Sequence, residues 1–324
     1  QQAQFQDCVG AKAPECTEAN FNPIGTGPFV VTEFRPNDVI TFEANQNYRD
    51  PSKPAFAKVL FKGGGDATAA GRAVMETGEY DYAWNLQLAP DVIAGMEAAG
   101  KGKAVAGFGP LMERIMLNNT NPDPALGPDE RSVIRPHPFL SDPAVYKAMS
   151  LAIDRPLLVE IGYGKAGRVT CNWVPAPATY DSDTFDCSTQ DIAGANKMLD
   201  DAGIVDTDGD ESELRNINAS VFFGGDPGSP DTFQKFYADV EMYSNTFNGT
   251  DPQAYLGNAL CDDAPRPDTQ WQGQNVARFC SEEYDALHQE LTQTANLEER
   301  ARIAKALNDM VIEQGGMIPL VHRG

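Results

Sequence analysis

Histidine is scarce in this sequence: His137, His288 and His322 are the only three, and they lie far apart. With no Cys-x-x-Cys pair either, the ligand spacing of a zinc site is missing. The nucleophile elbow G-x-S-x-G, the metalloprotease pair H-E-x-x-H, the Walker A loop and the dinucleotide glycine fingerprint are all absent, so none of their chemistries is signalled. No apolar run approaches the ~18 residues that a membrane-crossing helix needs. Positive charge is also short. Against 47 acidic residues stand 25 basic ones, and the net charge of −22 repels nucleic-acid phosphates and anionic membrane surfaces. The composition is that expected of a soluble, monomeric globular protein with a solvated acidic surface. The opening "QQAQFQDCVG" lacks the charged start and apolar stretch of a signal peptide, so the sequence is expected to be a mature form or a piece.

What is present begins with length. Single cores stop growing at about 250 to 300 residues, so 324 residues are expected to form more than one lobe. The six cysteines fall into three near-neighbour pairs, Cys8 with Cys16, Cys171 with Cys187, and Cys261 with Cys280, each in a polar loop. Free cysteines are mostly buried, so this placement reads as three disulfides and an oxidising compartment, with free cytosolic thiols as the alternative. The segment "CDDAPRPDTQWQGQNVARFC" is too rich in Pro, Asp and Gln to be core. Closing it is worth about 3 kcal/mol in the chain-entropy model.

Two β-rich runs around Pro36-Asn37-Asp38 predict a hairpin over 29–44. Strand patterns at 57–63, 80–84 and 103–109 alternate with helix patterns at 66–78 and 90–100, which predicts a β-α-β-α-β run and an α/β sheet. A Pro/Asp/Gly-rich passage over 121–138 reads as a linker. Beyond it Asp142, Asp154, Asp191, Ser281 and Asn296 each stand where a helix N-cap belongs. The apolar stripes behind them, such as Tyr284, Leu287 and Leu291 or Ile303, Leu307 and Met310, are read as core.

Some local features carry possible chemistry. Gly63-Gly64-Gly65 joins strand to helix, where phosphates can bind, yet Asp66 follows at once and repels an anion, so a plain turn is expected. Asp206, Asp208 and Asp210 resemble the start of a calcium loop, but Glu211 takes the place of the required glycine and Ile217 that of the bidentate Glu. A solvated turn is expected there, with weak Ca²⁺ binding as the alternative and no other cofactor. Trp84 ends a strand pattern, Trp173 follows Cys171, and Trp271 sits inside the Cys261–Cys280 loop. Aromatics so placed suit the walls of a concave small-molecule or peptide site.

The segments "GTGPFVVTEFRPNDVITFEANQNYRD" (25–50), "GEYDYAW" (78–84), "PFLSDPAVYKAMSLAIDRPLLVEIGYGKAG" (138–167), "ANKMLDDAGIVDTDGD" (195–210), "TDPQAY" (250–255), "NVARFCSEEYDAL" (275–287) and "MIPLV" (317–321) resemble, in order, the extracellular solute-binding proteins of family 5. These are the dipeptide- and oligopeptide-binding receptors of ABC importers. The resemblance implies an α/β fold of the periplasmic-binding-protein type II, two lobes closing on a ligand cleft, with the family's N-terminal part lacking a counterpart here and a strand and helix missing after Asp210. It places part of lobe I at 1–117, lobe II at 118–315 and a return segment to lobe I at 316–324. It also implies a disulfide at Cys261 and Cys280 near the cleft. Asn248 stands where relatives have the aspartate that holds a peptide's amino terminus, and a neutral amide cannot supply that ion pair. The residues expected to contact ligand are Trp84, Asn118, Trp173, Tyr243, Asn248, Trp271 and Arg278.

The function implied is a periplasmic or other extracytoplasmic receptor, anchored to the membrane if a preceding segment carries a lipid. It would deliver an oligopeptide or similar polar solute to a membrane ABC permease and catalyse nothing. A secreted hydrolase acting on a peptide or saccharide is the alternative. A secreted eukaryotic interaction protein is a third reading, since Asn118, Asn218 and Asn248 each begin an N-x-S/T sequon.

Overall fold

A computed structural model of the chain describes residues 4–8, 14–205, 214–224, 226 and 229–324. After a one-turn helix α1 (Thr17–Phe21), the expected hairpin forms from β1 (Phe29–Arg35) and β2 (Val39–Ala44), with Arg35 opposite Val39. Asn37 supplies the left-handed residue that the turn needs, at φ 59°. β3 (Lys58–Lys62) pairs antiparallel with β2 and completes a three-stranded sheet. The Gly63–Gly65 segment then turns into α2 (Ala67–Met75). Gly64 has φ 77°, and the Asp66 carboxylate caps the helix by accepting from the Ala69 amide at 2.7 Å.

The β-α-β-α-β run does not form. α3 (Pro90–Glu97) is present, but neither Tyr80–Trp84 nor Lys103–Gly109 is a strand. Alternation only sorts side chains onto two faces, and a strand also needs a neighbour's free backbone edge. Here Tyr82, Trp84 and Val105 stay 70–76 % exposed, and neither segment pairs with a strand among the described residues.

A second sheet organises the rest. β4 (Met112–Leu117), β5 (Gly167–Val169), β6 (Val240–Asn245) and β7 (Met317–Arg323) lie in the order β5-β7-β4-β6, all antiparallel. Both faces are covered, so every residue of β7 is buried and its first five residues, Met317–Val321, read as an apolar run without alternation. α4 (Pro143–Ala152) and α5 (Arg155–Gly162) pack on one face around Leu117, Ile318 and Leu320. On the other face Met112, Met116, Trp173, Tyr243 and Tyr255 meet α9 (Glu282–Gln293) and α10 (Leu297–Glu313). α6 (Ile192–Ala202) lies against α4, and α7 (Ala219–Phe222) and α8 (Gln253–Leu256) are single turns.

Each expected cap is made. Asp142, Asp154, Asp191, Ser281 and Asn296 accept amide hydrogens from the first turns of α4, α5, α6, α9 and α10, and α6 stops at Gly203 with φ 70°. All three near-neighbour cysteine pairs are bonded.

The division expected at 117/118 and 315/316 runs through the second sheet. β4 and β7 are its two central strands and hydrogen-bond to each other, to β6 and to β5, so 112–117 and 317–323 share one sheet with the later region. Asp206, Asp208 and Asp210 fall outside the described residues. Among the described residues no helix is long and apolar enough to cross a membrane, and no cluster of His, Cys, Asp and Glu forms a metal-binding group.

Candidate functional site

Because β4 runs antiparallel to β6 and β7, one edge of the second sheet collects the start of β4 and the ends of the other two. Arg323, the last residue of β7, sits there almost fully buried. Its Nη2 donates to Asn85 Oδ1 at 2.6 Å and its Nη1 to Ser244 Oγ at 2.7 Å, with Glu113 Oε2 at 3.4 Å. The guanidinium thus ties the 84–88 segment, which follows the first sheet and α2, to the second sheet. Tyr163 donates to Glu113 at 3.0 Å and its ring lies 5.5 Å from the guanidinium carbon of Arg323.

Burial pushes the Glu113 carboxyl up, against the pull of Arg323, Tyr163 and Arg114. Burial and the neighbouring Glu113 raise the Tyr163 phenol. Nearby, His322 makes a 2.6 Å bond to the Gly109 carbonyl, and burial lowers its pKa. Trp84 precedes Asn85 and is 70 % exposed, while Asn248 lies three residues beyond the end of β6 and is exposed. Trp84 and Asn248 therefore belong to this edge. Trp84 also lines a groove of about 910 Å³ with Leu60, Phe61, Tyr80, Tyr82 and the Gly63–Gly65 turn.

The remaining residues expected at a site lie elsewhere. Asn118 and Arg278 are at the opposite edge, about 20 Å away along six residues of strand. Asn118 is fully buried: Nδ2 donates to the carbonyls of Phe236 and Ala238, and Oδ1 accepts from Thr120. Its amide fastens the end of β4 to the 236–239 segment, and so deep a group is no glycan acceptor. Arg278 is buried, with Nη1 and Nη2 donating to the carbonyls of Val276 and Gln234. Burial, with Arg131 beside it, pulls its pKa down to about 9.

Trp271 is half-buried and forms one wall of a stack. The Arg131 guanidinium carbon lies 4.5 Å from its ring centre and 4.0 Å from that of Tyr237. Arg131, Phe236, Gln270, Trp271 and Arg278 all have φ between 50° and 60°, so backbone strain gathers at this edge. Trp173 and Tyr243 are core. Trp173 packs on Tyr255 at 5.0 Å and its backbone amide donates to Asn308 Oδ1, while Tyr243 lies under the Arg114 guanidinium.

Arg323, Asn85, Glu113 and Arg131 have no motif in the sequence, and nothing singles out Tyr163 within the family segment at 138–167. For Arg323, Glu113 and Arg131 the one sequence signal is a charge beside or inside an apolar strand or linker, which does not say what it meets. The stapled loop is folded inward by Asn275, whose Nδ2 donates to the carbonyls of Leu260 and Phe279.

Comparison with known proteins gives a coherent set. The family model described as bacterial extracellular solute-binding proteins, family 5 Middle, matches residues 3–241. The di/tripeptide-binding protein 3 of Pseudomonas aeruginosa strain UCBPP-PA14 is 22 % identical over 94 % of this chain and 57 % of its own length. Heme-binding protein A of Haemophilus influenzae is 25 % identical over 99 % of this chain and 58 % of its own. The chain therefore spans under three-fifths of the length of these curated relatives. Among solved structures, the Bacillus subtilis oligopeptide-binding protein AppA in complex with a nonapeptide superposes with a TM-score of 0.73 at 16 % identity, covering all of this chain and 66 % of that one. The periplasmic binding protein DppA of Helicobacter pylori, in complex with the peptide STSA, gives 0.69 at 16 %, with 95 % and 59 % covered.

Proposed function

The chain belongs to the bacterial extracellular solute-binding proteins of family 5, and from that premise we propose that it is the greater part of an extracytoplasmic receptor that binds an oligopeptide or comparably sized polar solute and hands it to an ABC permease. It binds without cofactor or catalysis and acts as a monomer outside the cytoplasm, with no nucleic-acid partner. The family match over residues 3–241 carries this reading. The geometry agrees with it, since Arg323 ties the 84–88 segment to the edge of the second sheet, where a ligand held between two lobes would touch both.

We infer that the lobe division lies just before β4, near residue 111, with β7 in the second lobe; the shared sheet of β4, β5, β6 and β7 supports this reading. Of the residues expected to touch ligand, we propose Trp84 as an apolar wall and Asn248 as a neutral hydrogen-bonding group, a reading supported by their exposure near the Arg323 edge. Asn118, Trp173, Tyr243 and Arg278 shape the lobe beneath, and Trp271 holds Arg131.

Calorimetry with free dipeptides tests the amide at 248. Binding to the wild-type chain should be weak, and Asn248→Asp should strengthen it by about 1 to 3 kcal/mol, the scale of a hydrogen bond to a charged group. An unchanged affinity removes Asn248 from the site, and turnover of any peptide during the titration overturns the receptor reading.

A further inference from the structure

At the other end of β7 from Arg323, beside Met317–Pro319, a cavity of about 290 Å³ opens between α4, α6 and the end of α10, under the Cys171–Cys187 disulfide. Its walls include Leu151, Phe185, Met198 and Ile312, and Arg155, the first residue of α5, also lines it. Arg155 is 1 % exposed. A guanidinium has five N–H donors. Here Nε donates to the Pro319 carbonyl at 2.8 Å, Nη1 to the Ser150 carbonyl at 2.9 Å and, at 3.4 Å, to that of Cys187, and Nη2 to Ser150 Oγ at 2.9 Å. Four acceptors serve five donors, and all four are neutral. Among the described residues no carboxylate pairs with Arg155.

Buried charges are ordinarily paired, because an unpaired ion in a low-dielectric interior loses its hydration without recompense. Two acids do line the cavity, Asp186 and Glu313, but both are exposed, and Asp186 is turned onto Ser188 at 2.7 Å. Lys147 lines it as well and is exposed. The charge that is buried is therefore a cation, and the surface around it is largely apolar.

We propose that this cavity is a second binding site, distinct from the edge that holds Arg323, which takes a small organic anion with its carboxylate on Arg155 and a short apolar tail among Leu151, Phe185, Met198 and Ile312. Its volume lies at the low end of small-molecule sites, so the ligand is a short-chain acid rather than a peptide. About 15 Å of strand separates it from Arg323.

Hexanoate is the probe and 1-hexanol its uncharged counterpart, titrated into the whole chain by calorimetry and by methyl NMR of Met198. Hexanoate should bind saturably and shift the Met198 methyl signal, hexanol should bind at least about tenfold more weakly, and Met198→Trp, which fills the cavity, should weaken hexanoate at least about tenfold. Leu151→Phe fills it from α4 and serves if the tryptophan variant does not fold. Equal affinity for hexanol, unchanged binding after filling, or no saturable binding at about 10 mM hexanoate would each overturn the site.

Discussion

Glu241 stands opposite Met116 on the core side of β6, and burial holds its carboxyl well above the ordinary value of 4.5, with Arg278 pulling only partly against it. An acid whose pKa is raised by folding binds its proton more tightly folded than unfolded, so stability falls as pH rises from the ordinary value toward the raised one. Glu241→Gln keeps the shape and removes the titration. Urea midpoints at pH 5 and pH 8 should therefore lie closer together in the variant, which should be the more stable protein at pH 8. A wild type whose midpoint rises over that interval, with no change on substitution, would contradict the buried acid. Such environments are hard to read from sequence. Arg278 lies in a polar, disulfide-closed loop and reads as a surface group near a ligand, yet the fold turns the loop inward and spends two of the guanidinium nitrogens on carbonyls. Trp84 is the contrary case, a tryptophan left exposed where a reading from composition alone would divide evenly between core and cleft.

Helix starts are legible because their chemistry is confined to four or five neighbouring residues. Asp191 accepts the Gly194 amide at 2.8 Å, and Asp191→Ala should cost about 1 kcal/mol by urea unfolding, the usual worth of such a cap. A loss below a few tenths of a kcal/mol would mean that water replaces the carboxylate at no cost. Strands depend on distant partners, and there the sequence misleads in both directions. Tyr80–Trp84 and Lys103–Gly109 alternate well but meet no free strand edge, whereas β7 hardly alternates and yet lies at the centre of the second sheet. The hairpin over 29–44 is the exception, since its turn brings the partner strand with it.

Over the whole molecule, the two-lobe α/β architecture is legible from the ordered family segments, but the place of the division is not. Pairing of β4 with β7 is invisible to local pattern, and it joins 112–117 and 317–323 in one sheet, which favours the proposed junction ahead of β4. Limited proteolysis should accordingly cut first in the strandless 103–111 stretch and leave a resistant fragment that begins near β4 and retains β7. Early cuts between 117 and 120 that free β4 would instead restore the later boundary. The same pairing bears on how the chain is made. Ile115 and Ile318 are partners on the order of 200 residues apart, so β4 cannot complete its sheet until nearly all the intervening chain has been supplied. Loop closure over that span is slow beside local helix formation. In a nascent chain of this design the second sheet closes only when the strand at 317–323 has been synthesised, whereas the hairpin over 29–44 can form as soon as its own residues are available.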